Sequence, residues 1–134
     1  MKRLTIIVFL LLPLGAVLGQ GMTCADFKQG NFYIETQEDQ IRKYDVYRDG
    51  DTQVEFATSG EGENVYIAIE WINDCTYRLS FDPNYPLTET EQFINEVGGA
   101  LVEMIKIEGN CFFYRSTIIV QGEDVIINGK ICRK

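Results

Sequence analysis

The sequence predicts an all-β domain. Its mainly antiparallel meander of about eight short strands forms a small barrel-like or strongly curved sheet, with one short helix covering an end. Three observations carry this. Apolar and polar residues alternate with the two-residue period of a half-buried strand, most cleanly where Tyr77, Leu79 and Phe81 oppose Thr76, Arg78 and Ser80. Most links between such runs are only a few residues long, too short for a parallel crossover. The helical period is confined to residues 89–97.

Taken in order, the chain starts with Lys2 and Arg3 and then an apolar run over residues 4–18, broken by Thr5 and containing Pro13 and Gly15. A basic start before a short apolar stretch reads as a secretory signal peptide, residues 1–19, cut after Gly19. The run is too short and wrongly flanked for a membrane span, so no stable membrane insertion is expected after cleavage. Lipidation of Cys24 is disfavoured, because Gly21-Met22-Thr23 lacks a leucine three residues before the cysteine. Residues 20–134 then form a single secreted or periplasmic β domain.

Within it, Phe27 is expected to dock onto the core, and strands are expected at 32–36 and 41–48. Asp49-Gly50 is a strong hairpin signal. The return strand, 52–58, places Val54 and Phe56 on one face and Gln53 and Glu55 on the other. A polar loop over 59–64 leads to a strand at 65–71, and Asn73-Asp74 turns the chain into another at 75–81. Pro83 and Pro86 then break the pattern. Thr88 and Glu91 have capping-box spacing before a helix at 89–97, which Gly98-Gly99 ends. Strands at 101–107, 111–120 and 125–131 complete the domain, and Asn128-Gly129 marks a hairpin, bulge or bend in the last.

Four cysteines survive cleavage: Cys24, Cys75, Cys111 and Cys132. There is no CxxC pair and no histidine, so a compact zinc site is a poor reading, and two disulfides are the default in an oxidising compartment. Of three pairings, Cys24 with Cys132 and Cys75 with Cys111 is preferred, since it would tie the chain ends together.

Composition excludes more than it assigns. The two leader cations are lost, so the mature chain carries ten basic against twenty acidic side chains, a net charge of −10. That argues against a duplex nucleic-acid binder and against adsorption to an anionic membrane. The absence of histidine removes Ser-His-Asp and Cys-His nucleophiles. Carboxylates abound, but no pair has spacing that marks a hydrolase, and no enzymatic activity or cofactor is expected. Asp49, Asp51, Glu61 and Glu63 are hard oxygen ligands in turns, yet no calcium-loop pattern joins them, and no metal is expected. The candidate binding surface is Arg48, Gln53, Glu55 and Trp71. The competing structural reading makes the first three a cross-strand polar group beside the hairpin turn, and Trp71 a buried ring near a disulfide.

The stretch Cys24-Ala25-Asp26-Phe27-Lys28-Gln29-Gly30-Asn31-Phe32 resembles the opening of small exported proteins common in flavobacteria and their relatives. Trp71-Ile72-Asn73-Asp74-Cys75-Thr76-Tyr77-Arg78-Leu79 resembles their Trp-x-x-x-Cys-x-Tyr-x-Leu pattern, and Arg48, Gln53 and Glu55 resemble a polar patch between the two. The likeness runs loosely over residues 24–118 and carries no catalytic or ligand residue. Some proteins of this kind bear the name DNA topoisomerase IV, which an exported, acidic chain of this length does not fit.

The leading expectation is therefore a non-enzymatic binding or structural domain of the cell envelope. A lipocalin-like carrier of a small apolar ligand is the first alternative, and it requires a lumen of at least roughly 300 Å³. A protein-interaction or inhibitor module is the second, with loop 59–64 or 82–87 as the exposed element.

Overall fold

A computed structural model describes residues 21–35, 43–57 and 62–134. The expected signal peptide lies outside the described residues, as do the turn after the first strand and residues 58–61 of the polar loop.

Eight strands follow one another: β1 (Gln29–Glu35), β2 (Lys43–Asp49), β3 (Thr52–Ala57), β4 (Val65–Asn73), β5 (Thr76–Phe81), β6 (Ala100–Glu108), β7 (Cys111–Val120) and β8 (Glu123–Arg133). Each pairs antiparallel with the next, and β8 pairs with β1, so the sheet closes into a barrel in simple sequence order. Of the two architectures open to the meander, closure wins because it removes the sheet edges. The closing seam runs from Phe32 opposite Arg133 to Glu35 opposite Lys130, where Lys130 Nζ meets Glu35 Oε2 at 3.0 Å.

One end is plugged. The 3-10 turn η1 (Cys24–Phe27) puts the Phe27 ring 5.9 Å from that of Phe32 and 4.8 Å from that of Phe112, all three fully buried. Arg133 lies over Phe32 and donates from Nη1 to the Asp26 carbonyl at 2.8 Å, tying the last strand to the plug. Gly30 permits this, because a Cβ there would lie 3.3 Å from the Arg133 guanidinium and its φ of +123° suits only glycine.

At the opposite end, α1 (Glu89–Glu96) forms where the capping box predicts. Glu91 N–H donates to Thr88 Oγ1 at 3.2 Å, and Thr88 N–H to Glu91 Oε2 at 2.8 Å. The helix is too short to stand alone. It is held to β5 through Asn95, whose amide accepts from Phe81 N–H and donates to Phe81 C=O, both at 2.8 Å. The β5–β6 ladder ends at Leu79 opposite Ala100, so Asn95 serves the next backbone pair in place of a strand. No described helix is long and apolar enough to cross a membrane.

All four cysteines are bridged, but not in the preferred pairing. The bonds are Cys24–Cys75 and Cys111–Cys132. Cys111 and Cys132 are direct partners across β7 and β8, which leaves Cys132 no route to Cys24. Cys24, on the plug, meets the β4–β5 turn instead. Two disulfides are the state expected of an oxidising compartment.

Asn128-Gly129 makes no hairpin, since β8 runs through it in unbroken register with β7. Gly129 is required for another reason. A Cβ there would collide with the Tyr114 hydroxyl and with Cζ and Cε1 of its ring. Gly129→Ala is expected to destabilise the domain by about 1–3 kcal/mol through overpacking. Urea unfolding checks this. The penalty should shrink in a Tyr114→Ala background, where the two changes become non-additive.

Candidate functional site

Strand alternation decides which side chains enter the barrel. Tyr44, Val46 and Arg48 of β2 share the inward face, and so do Gln53, Glu55 and Ala57 of β3. The inward face of β3 is thus its polar one, while Phe56 on the other face is 38 % exposed. Register explains this, since Arg48 is paired directly with Gln53 across the Asp49-Gly50 turn, and one must follow the other inside.

Arg48 and Gln53 are 1 % and 2 % exposed, so they do not belong to a surface, as the sequence reading had placed them. A buried guanidinium needs partners for its donors. Arg48 Nε donates to Gln53 Oε1 at 2.7 Å, Nη1 to the Phe27 carbonyl at 3.1 Å and Nη2 to Tyr77 Oη at 2.6 Å. The rings of Phe32, Trp71, Tyr77 and Phe112 surround it, with centroids 4.8–5.9 Å from Cζ. Gln53 Nε2 passes the chain on, donating to Glu55 Oε1 at 2.7 Å. No buried side-chain nitrogen or oxygen among the described residues lacks a partner.

Trp71, half-buried, lies at the floor of this site. Its Nε1 donates to the Gly50 carbonyl at 2.9 Å and its ring stands 4.8 Å from that of Tyr77. With Cys24 and Cys75 it packs against the core from the plugged end. Outside, Lys28 lies over its ring and pairs with Asp74 at 2.7 Å.

Burial shifts the acids upward. Desolvation pushes the Glu55 carboxyl above the usual carboxylate range, despite the Gln53 hydrogen bond and the charge of Arg48. Desolvation also raises Tyr77, against the Arg48 charge, and lifts Tyr114 to about 12. A raised carboxyl pKa means that the folded state holds a proton the unfolded chain releases. Stability therefore falls as pH rises from the unfolded value through the folded one. Glu55→Gln keeps an acceptor for Gln53 and removes this burden. We expect it to be more stable than the parent in urea at pH 7, with the difference vanishing below about pH 4. Equal stability at pH 7 would mean that burial does not burden the carboxylate.

Exposure along the inward faces is graded. Near the plug, Phe32, Val46, Arg48, Tyr77 and Phe112 are sealed. Toward the other end, Ile34, Tyr44, Glu55, Val65, Phe81 and Ser116 face inward yet are only half-buried. Continuing that face on β8, Val125 and Ile127 are 46 % and 53 % exposed. The sealed polar floor thus gives way to mainly apolar inward positions that are half-buried on most strands, while Ala100 and Val102 of β6 stay sealed at 3 % and 2 % exposure. Separately, a shallow cleft of about 460 Å³ lies outside the plug, lined by Asp26, Lys28, Gln29 and Arg133. Its Lys28 and Arg133 are already engaged by Asp74 and by the Asp26 carbonyl.

Sequence reasoning missed Tyr77 and Tyr114 as members of the polar group. A parity count from Phe112 gives Tyr114 an inward position, but nothing local distinguishes it from a packed core ring. Comparison with protein-family models, curated proteins and solved structures returns no match.

Proposed function

We propose that the protein is an exported, non-enzymatic binding domain that carries a small, partly apolar molecule in its barrel, in the manner of a lipocalin-shaped cup. The observation that supports this most directly is the graded interior. A barrel filled for stability alone would seal inward side chains along its whole length, as these are sealed near the plug. Here the upper inward positions of β1, β2, β4, β5 and β7 keep accessible surface, although Ala100 and Val102 of β6 are sealed. Concave, mainly apolar walls with a few convergent polar groups are what small-molecule sites have in common. The interaction-module alternative has less behind it. In the 82–87 loop, the exposed Tyr85 ring is stacked on Tyr66 at 3.6 Å and so is already partnered.

The neutral apolar fluorophore N-phenyl-1-naphthylamine tests the reading. One molecule is expected to bind per chain, with a dissociation constant on the order of 1 μM. Ser116→Trp, which fills the upper interior, should weaken binding by about tenfold or more. Absence of binding overturns the proposal. So does unchanged binding to a Ser116→Trp variant whose circular dichroism matches the parent.

A further inference from the structure

We propose that the cup selects an amphipathic amine, a cationic ammonium head on an apolar body, and that the Glu55 carboxylate receives the head. This rests on the carrier reading above. The first support is the direction of the interior hydrogen-bond chain. Arg48 is sealed, and its Nε, Nη1 and Nη2 are all engaged, so the floor offers no free cation to an anionic head. The chain runs from donor to acceptor, Arg48 to Gln53 to Glu55, and ends on an acceptor at the boundary between sealed floor and accessible wall. That carboxylate accepts from Gln53 Nε2 and has lone pairs for further donors, of which an ammonium group supplies up to three.

The second support is independent of the first. The described connections at the accessible end, residues 62–64, 82–99 and 121–124, contain no lysine or arginine and carry Glu63, Asp82, Glu91, Glu123 and Asp124 among their acids. Arg78 of β5 reaches this end, donating from Nη1 to the Gly98 carbonyl at 3.1 Å, but the connections themselves are acidic and, with a net charge of −8 on the whole chain, favour cations over carboxylates. The third is energetic. Among the described residues Arg48, Tyr77 and Tyr114 are the ionisable groups that interact with Glu55; the Gln53 hydrogen bond and the Arg48 charge oppose the cost of burying its charge without offsetting it. A carboxylate under-compensated in this way gains from a second cation.

Decylamine, decanol and decanoate share one apolar body and differ in the head. Each is titrated at pH 7.5 against bound N-phenyl-1-naphthylamine, on the parent protein and on Glu55→Gln. Decylamine is expected to displace the probe at about one tenth of the decanoate concentration or less. Glu55→Gln should erase that advantage and leave decanol within about threefold of its parental value. Decanoate binding as tightly as decylamine, or an amine advantage that survives Glu55→Gln, overturns this inference and leaves the carrier reading standing. So does failure of all three to displace a bound probe. If the probe itself does not bind, both fall.

Discussion

Replacing Arg48 with methionine is expected to destabilise the domain by about 3–5 kcal/mol, among the largest effects available to a single substitution here. Methionine matches the length and apolar bulk of the arginine stem, so lost packing is not the main cause. The cost comes from the groups left behind. Gln53 Oε1, the Phe27 carbonyl and Tyr77 Oη each lose their donor in a region that water does not reach. A buried acceptor without a donor costs about 1–3 kcal/mol. Four aromatic faces lose their cation as well. The pH dependence has a definite sign. Arg48 lowers the Glu55 pKa, so its removal pushes that carboxyl further up, and the penalty should be larger at pH 7 than at pH 4. Replacing the whole chain with apolar residues, Arg48→Met with Gln53→Met and Glu55→Leu, should cost less than Arg48→Met alone, since nothing polar is then stranded. Urea unfolding of the four proteins, with Arg48→Lys as the fourth, makes the comparison. A loss below about 1 kcal/mol for Arg48→Met would show that these acceptors find other partners.

This polar chain also marks where sequence reasoning stopped. The fold was legible because its determinants are local. Short links between alternating runs allow only antiparallel neighbours, and the Thr88 and Glu91 pair fixes the helix start within its own turn. Closure is the one non-local step, the pairing of β8 with β1 from Phe32 opposite Arg133 to Glu35 opposite Lys130. The site was only half legible. Arg48, Gln53 and Glu55 stood out together, but alternation assigns residues to two faces without saying which is inside. The apolar pair Val54 and Phe56 gives the wrong cue, because in a closed barrel the register of one hairpin carries its partner's parity with it. The disulfides failed for a related reason. Tying the chain ends looks economical along the sequence. The Cys111–Cys132 bond, however, is set by an unbroken ladder from Val120 opposite Glu123 down to those two residues, a regularity visible only after β8 is known to run straight through Gly129.

The two bonds should therefore differ in consequence, and the Cys24–Cys75 bond is expected to matter more. It closes a separation of 51 residues against 21 for Cys111–Cys132. In the chain-entropy account these correspond to about 4 and about 3 kcal/mol. The larger difference is mechanical. Cys111 and Cys132 would remain ladder partners if reduced, whereas Cys24 belongs to a four-residue 3-10 turn with no strand ladder of its own. Without its bond the turn keeps the Arg133 contact to Asp26, the Arg48 contact to Phe27 and the burial of the Phe27 ring. Cys24→Ala with Cys75→Ala should thus lower Tm by roughly 15 °C and raise amide exchange first at residues 24–28, ahead of β2 and β3. The Cys111→Ala, Cys132→Ala pair should show a smaller drop, with its extra exchange confined to the β6–β7 turn and the end of β8. The opposite ranking would mean that Phe27 holds the plug by itself, and that the cross-strand bond resists the opening of the β7–β8 hairpin. Reduction of both bonds removes about 7 kcal/mol in the same account, comparable with the whole stability of a domain of this size. The reduced chain is then expected to unfold at moderate urea, a dependence that ties the fold to the compartment in which those bonds form.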